Sequence, residues 1–221
     1  MKKKNQKKKF DIIKYIKEDK KLIIACITLF LFILLAIFVL TGKTSKLDEL
    51  ISSFIIGIRN ESLTNRMINI TNIGGAYSLI VISLLLLIFV KKKKIPLLVI
   101  INLVIVFLSS QIFKFIFKRP RPDGVFLIDE SGYSFPSGHA MVSIAFIMFI
   151  TYILLKVLKN KLSKILITIT LSILVLLIGF SRIYLGVHHF TDVIGGFLLG
   201  ITYLMIYLHI IDKKEYLKWK K

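Results

Sequence analysis

The sequence contains very little cysteine and few acidic residues. Its single cysteine, Cys26, lies within an apolar run, which excludes a disulfide framework and a metal site built from thiolates. We expect Cys26 to be a small buried hydrophobe. Only 12 aspartates and glutamates oppose 32 lysines and arginines, which gives a net charge of +20. In a soluble protein this excess would suggest nucleic-acid binding, but the lysines stand at the ends of hydrophobic runs, so we expect no nucleic acid among the partners.

Hydrophobic residues make up 56% of the chain, and the mean hydropathy of +0.78 is typical of a membrane protein. The sequence predicts an all-α fold, a bundle of six transmembrane helices. The six apolar segments lie at 22–41, 70–90, 95–117, 138–158, 162–180 and 190–211. The first is longer than the core of a signal peptide, and no cleavage pattern follows it, so we expect an uncleaved anchor.

Between the first two spans, apolar residues recur at helical spacing over residues 47–58, and charged residues occupy other positions. This pattern predicts a short amphipathic helix in the membrane interface, and a helix packed on the outer rim of the bundle is the alternative. We expect one membrane domain at 22–211, preceded by a basic segment at 1–21 and followed by a basic tail at 212–221.

Basic residues also predict the orientation of the bundle. If the N-terminus is cytoplasmic, 23 of the 32 lysines and arginines fall in inside segments. The positive-inside rule therefore predicts that both termini are cytoplasmic in a multi-pass protein of the membrane.

Three polar segments interrupt the hydrophobic runs, and this topology places all three on the outer side. They are residues 114–122 (KFIFKRPRP), 136–139 (PSGH) and 181–192 (SRIYLGVHHFTD). A set of cations, histidines and a carboxylate on one face indicates a chemical role, because intramembrane charges are expensive to keep.

Two histidines and a carboxylate in these segments suit phosphoryl transfer. His188 and Asp192 are four residues apart, so on a helix the carboxylate can accept a hydrogen bond from Nδ1 of the imidazole. Nε2 is then free to act as a nucleophile. His139 is suited to protonating the departing oxygen.

The remaining polar residues of the segments suit phosphate binding. Lys114, Arg121 and Arg182 would stabilise the negative oxygens of a phosphoryl group. Ser137 and Gly138 open the fourth span, where the amides of a helix N-terminus favour an anion. These groups supply the positive charge, so we expect no metal and no other cofactor.

The three segments resemble the signature of the type 2 phosphatidic acid phosphatase (PAP2) superfamily, KxxxxxxRP, PSGH and SRxxxxxHxxxD, at every specified position. The resemblance implies a phosphohistidine on His188, oriented by Asp192, with His139 as acid and then base. It also implies phosphate binding by Lys114, Arg121, Ser137, Gly138 and Arg182.

Several charged neighbours lie outside this signature. We expect Lys118, Arg119 and His189 to be solvated or to face lipid headgroups. The residues before the second segment, among them Asp123, Asp129, Glu130 and Tyr133, are expected to form an ordinary acidic loop, with headgroup selection as the alternative.

The resemblance implies a lipid phosphate as the substrate and a bacterial cytoplasmic membrane as the location, and an active site on the outer face best suits undecaprenyl diphosphate, hydrolysed to undecaprenyl phosphate. Phosphatidylglycerol phosphate and phosphatidate are alternatives. A non-enzymatic lipid transporter is the alternative from another class, since transport pathways also carry intramembrane charges. The sequence leaves the oligomeric state open.

Overall fold

The computed structural model describes residues 2–124, 126–214 and 216–217, with side chains from residue 20 onward. Within these residues the fold has eight α-helices and no β-strand, which confirms the all-α prediction. The helices are α1 (Lys2–Leu40), α2 (Ser45–Gly57), α3 (Glu61–Ile73), α4 (Ala76–Phe89), α5 (Lys94–Phe117), α6 (Gly138–Val157), α7 (Lys161–Tyr184) and α8 (Phe190–Lys213). Of the predicted basic tail, residues 215 and 218–221 lie outside the described part.

Five of these helices are long and apolar enough to span a membrane, counting Lys20–Leu40 of α1, and the number rises to six if α3 and α4 form one span. The predicted span at 70–90 is not a single straight helix, because α3 and α4 meet at a bend of 47°. Two glycines, Gly74 and Gly75, separate them, and glycine is a poor helix former. A Cβ at Gly74 would lie only 2.6 Å from the Ile178 side chain, so the bend is packed closely against α7.

α6 and α8 pack closely together at the centre of the bundle. A Cβ on Gly196 would approach the Ser137 carbonyl oxygen to 2.5 Å, and one on Gly200 would approach the Met141 carbonyl oxygen to 2.8 Å. Small residues at such an interface let two helix backbones come together inside a membrane. The first turns of α6 and α8, which carry the second and third polar segments, are therefore side by side.

α1 and α7 lie on the outside of the bundle and bury only a narrow stripe of side chains. α1 packs along α8, where a hydrogen bond of 2.8 Å joins the hydroxyls of Thr28 and Thr202, and its buried residues include Ala25 and Ala36. Its buried Phe32 instead contacts Phe113 and Phe117 of α5. The expectation that Cys26 is buried is wrong, since its side chain is exposed. Cys26 is one residue past Ala25, about 100° around the helix from the buried stripe, and so points away from α8.

α2 is the amphipathic helix that the sequence predicts, although its position in the membrane interface remains a prediction. Leu50 and Phe54 are strongly exposed on its outer side. Its opposite side buries Ile55 and, more unusually, the carboxylate of Asp48. One face of α2 is therefore available to lipid, while the other brings a charge into the bundle.

Candidate active site

The three polar segments meet at one end of the bundle, where backbone hydrogen bonds link them. The Ser137 amide donates to the carbonyl of Asp192 at 2.9 Å, which joins the start of α6 to the first turn of α8. The Arg121 guanidinium donates to the carbonyl of Val187 at 2.6 Å, which attaches the first segment to the third.

His188 lies in the short turn between α7 and α8. The amides of Val187 and His188 both donate to the carbonyl of Arg182 at 3.2 Å, so the turn folds back on the end of α7. Gly186 has a φ of +82°, a conformation that glycine adopts without strain. The turn therefore holds the backbone of His188 against the carbonyl of Arg182, near the end of α7.

The predicted pair of His188 and Asp192 is in contact and fully buried. Nδ1 of His188 lies 3.4 Å from Oδ2 of Asp192, and the same oxygen accepts the amide of His189 at 2.8 Å. The carboxylate is therefore in place to hold the imidazole with Nδ1 as donor, which would leave the lone pair on Nε2.

The pKa of His188 is well below its ordinary value of 6.5. Burial is the main cause, and the positive charges of Arg182, Lys114 and Arg121 lower it further. The imidazole is consequently neutral at physiological pH and has a lone pair for nucleophilic attack.

Lys114, Gly138 and His139 share one wall of the site. A Cβ on Gly138 would lie 3.9 Å from Nζ of Lys114, so the ammonium group sits beside the start of α6. Ser137 is the N-cap of α6, and its hydroxyl accepts the amide of Ala140 at 3.5 Å. His139 follows in the first turn and lines the same cavity as Lys114.

Arg182 is only 1% exposed and is fixed by α3. Its Nη1 donates to the Thr71 hydroxyl at 2.8 Å, and its Nη2 forms an ion pair with Glu130. Within the described part of the chain, the buried Nε of Arg182 has no hydrogen-bond acceptor. Thr71 stands just before the bend at residues 74–75, so the broken helix helps to position this arginine.

Arg121 holds the loop that precedes α6. Its guanidinium donates to the carbonyl oxygens of Ser131 at 2.7 Å and Gly132 at 3.0 Å, in addition to Val187. This arginine therefore fixes the loop against the His188 turn, and its role as a phosphate ligand stays a prediction.

Glu130 is not part of an ordinary acidic loop, and that expectation is wrong for this residue. Its carboxylate pairs with Arg182, and Oε1 lies 3.6 Å from Nη2 of Arg121. Burial alone would raise the pKa of Glu130, but the pairing with Arg182 holds this pKa below its ordinary value. Glu130 is therefore ionised and pairs with two of the cations that the sequence analysis predicts to bind phosphate. Its neighbour Asp129 is exposed, as expected.

Arg119 is also misassigned by the sequence, because it faces neither solvent nor headgroups. Its side chain is 13% exposed, and its two terminal nitrogens pair with Asp192 at 2.6 Å and Asp48 at 2.7 Å. The sequence contains only indirect signals of this pairing, namely the dense basic pattern of residues 114–122 and the acidic Asp48 in the amphipathic pattern of residues 47–58. Lys118 is exposed, as expected. The backbone amide of His189 donates a hydrogen bond to the carboxylate of Asp192.

A cavity of about 390 Å³ runs from these charges between α4, α5 and α6. Most of its wall is apolar and includes Leu79 and Phe107, whereas Lys114, Glu130 and His139 lie at its polar end. The cavity can therefore accommodate an apolar chain whose charged group reaches Lys114 and His139. No cluster of three or more histidines, cysteines or acidic residues that could hold a metal occurs among the described residues.

Comparisons with known proteins agree with this geometry. The profile of the PAP2 superfamily matches residues 93–216. Phosphatidylglycerophosphatase B of Bacillus subtilis is 36% identical over 79% of this chain and 89% of its own length. An undecaprenyl-diphosphatase of Sulfolobus acidocaldarius is 30% identical over 81% of this chain and 88% of its own length.

A solved structure is similar over most of its length. The crystal structure of a transmembrane PAP2-type phosphatidylglycerolphosphate phosphatase from Bacillus subtilis matches with a TM-score of 0.79 and 30% identity, and covers 89% of this chain and 98% of the other.

Proposed function

The chain belongs to the PAP2 superfamily and is a multi-pass membrane phosphatase acting on lipids, and from this premise we propose that it hydrolyses a phosphate ester or anhydride of a membrane lipid through a phosphohistidine on His188. In this proposal residues 22–211 form the catalytic domain. The observation that carries the proposal is the cavity, since it leads from the apolar surfaces of α4 and α5 to Lys114 and His139.

In the first step, Nε2 of His188 attacks the phosphorus atom, and the bond from phosphorus to the bridging oxygen of the lipid breaks. His139 gives its proton to that oxygen, which leaves as a neutral hydroxyl or a protonated phosphate. Asp192 stabilises the positive charge that forms on the imidazole through its hydrogen bond to Nδ1.

In the second step, water attacks the phosphohistidine while His139 accepts a proton from it. The bond between phosphorus and nitrogen breaks, inorganic phosphate leaves and His188 is regenerated. Lys114, Arg121, Arg182 and the amides at Ser137 and Gly138 stabilise the phosphoryl oxygens in both steps. Since these groups supply the positive charge, we expect activity without a metal ion, and it should persist in excess chelator.

Undecaprenyl diphosphate is the first candidate substrate, because a site on the outer face suits removal of phosphate from a polyprenyl carrier. The distribution of basic residues supports that orientation, with both termini cytoplasmic. Phosphatidylglycerol phosphate is the second candidate, favoured by the name of the Bacillus subtilis relative and by the Bacillus subtilis crystal structure described above.

The direct test is phosphate release by the purified full-length protein in detergent from undecaprenyl diphosphate, phosphatidylglycerol phosphate and phosphatidate, compared side by side. We expect release from at least one lipid, unaffected by EDTA and absent from the His188→Ala variant. Binding of these lipids without any phosphate release would favour the transporter alternative. Release that EDTA abolishes and magnesium restores would contradict the proposed electrostatics.

A further inference from the structure

The carboxylate of Asp192 has a second set of partners on the side away from His188. Oδ1 of Asp192 accepts a hydrogen bond from Nη1 of Arg119 at 2.6 Å, and Nη2 of the same guanidinium donates to Oδ2 of Asp48 at 2.7 Å. Asp48 belongs to α2, which lies outside the stretch of residues 93–216 matched by the family profile. The chain of contacts therefore runs from the amphipathic helix to the proposed nucleophile.

Asp48 also holds the start of α8. Its Oδ1 accepts the Thr191 amide at 2.9 Å, and its Oδ2 accepts the Thr191 hydroxyl at 2.8 Å. The first amides of a helix have no partner within the helix, and a negative charge there is stabilised by the helix dipole. Asp48 thus caps, from a different helix, the turn that carries Asp192.

Burial makes this arrangement rigid. Asp48, Thr191 and Asp192 are each 3% exposed or less, so their charges and hydrogen bonds have little access to water. The planar fork of Arg119 binds one carboxylate with each terminal nitrogen, which fixes the two acids relative to each other. Removing one member of a buried charge group leaves its partner uncompensated, so the remaining groups must rearrange.

We propose that Asp48 and Arg119 are positioning residues that hold Asp192 in the orientation in which its other oxygen meets Nδ1 of His188. This inference rests on the proposed function of His188. Without Asp48, the Arg119 guanidinium pairs with Asp192 alone and draws the carboxylate away from the imidazole. The Arg119 guanidinium is occupied by the two carboxylates, and Asp48 is occupied by Arg119 and Thr191, so we expect their loss to slow attack by His188 more than it weakens substrate binding.

The test is a kinetic double-mutant cycle on the full-length protein with Asp48→Asn, Arg119→Gln and the double variant. We expect each single variant to lower kcat by about 10- to 100-fold, since small misplacements of catalytic groups have effects of this size. KM and the inhibition constant of inorganic phosphate should change less than about threefold. The double variant should have a kcat no lower than that of the less active single variant, because both residues act through Asp192.

The matched control is Glu49→Gln, which makes the same charge change at the exposed neighbouring position of α2 and should leave kcat unchanged. If the Asp48→Asn variant does not remain folded in detergent, Arg119→Lys carries the same test, because it keeps the charge and loses the fork. Kinetics of either variant equal to those of the control, a loss confined to KM, or losses that multiply in the double variant would each overturn the inference. A wild-type protein without phosphatase activity would instead contradict the proposed function.

Discussion

The two ends of the bundle both bring basic side chains to a carboxylate, but they do so in different ways. At one end, which we call the lysine end, Asp212 contacts Lys21, Tyr152 and Lys156, the last at 3.2 Å. At the other, the arginine end, Arg119 binds Asp192 and Arg182 binds Glu130. Both ends therefore contain ion pairs between a lysine or arginine and a carboxylate.

Burial and donor geometry distinguish the two ends. The ion-paired side chains at the lysine end are 21–31% exposed, whereas Arg182 and Asp192 are almost completely buried. Lysine is a mobile point charge, while arginine has several donors in a rigid plane. The lysine end therefore joins α1, α6 and α8 through partly exposed ion pairs. The arginine end holds its charged groups in fixed positions, as catalysis requires.

The largest expected effect is at the arginine end, with His188→Ala. Without the imidazole no covalent bond to phosphorus forms, so phosphate release should fall to the level of the reaction without enzyme. Release of phosphate by the purified variant from the preferred lipid measures this, with correct folding checked by gel filtration. Residual turnover above a few per cent of wild type would assign the nucleophile to another residue.

The next effect concerns His139 and depends on the leaving group. His139→Ala should lower the rate on the natural lipid by about 10²–10⁴-fold, the usual contribution of a proton donor. An aryl phosphate needs little protonation of its leaving oxygen, so its rate should fall much less. Parallel kcat measurements on both substrates decide this, and equal losses would exclude His139 as the acid.

A smaller effect, and one of opposite sign, is expected for Glu130→Gln. Its carboxylate occupies Arg182 and Arg121, so an incoming phosphate must displace it. Removing the charge should tighten inhibition by inorganic phosphate by about three- to fivefold, a modest value because Glu130 is partly exposed. Asp129→Asn is the control at an exposed neighbouring position. An unchanged or weaker inhibition would mean that Glu130 does not compete with phosphate.

The smallest effect on activity is expected at the lysine end. Asp212→Asn breaks the contacts to Lys21 and Lys156 but should leave kcat within about twofold of wild type. The apparent melting temperature in detergent should fall by about 2–4 °C, as for a partly exposed ion pair. A loss of activity without loss of stability would show that the two ends are coupled. It would contradict the assignment of catalysis to the arginine end alone.

The sequence allowed prediction of those parts of the site that follow from local pattern. His188 and Asp192 are four residues apart, and Ser137 and Gly138 lie at the start of an apolar run, so both relations can be seen in the local sequence. The pairing of Asp192 with Arg119 was missed, because the two residues are 73 positions apart in the chain and no local pattern connects them. Glu130 was missed for a similar reason, since its partner Arg182 is 52 residues away.

The fold was predicted in its class and in most of its spans, because long apolar runs are a strong signal. The break between α3 and α4 was missed because the hydropathy of residues 70–90 outweighed the Gly74–Gly75 pair. Those glycines permit the bend, and the close packing of Gly74 on Ile178 stabilises it. Tertiary contacts of this kind decide what a glycine does in a helix, and they are absent from the sequence pattern.

The most direct test of the account is to trap the covalent intermediate. Purified protein is quenched within milliseconds of mixing with lipid substrate labelled in its terminal phosphate, and the labelled residue is identified by peptide mapping. We predict an acid-labile, base-stable phosphate on His188 that is absent from the His188→Ala variant and accumulates more slowly in the Asp48→Asn variant. Label on another residue, or label that persists in the His188→Ala variant, would contradict the central claim that His188 is the nucleophile.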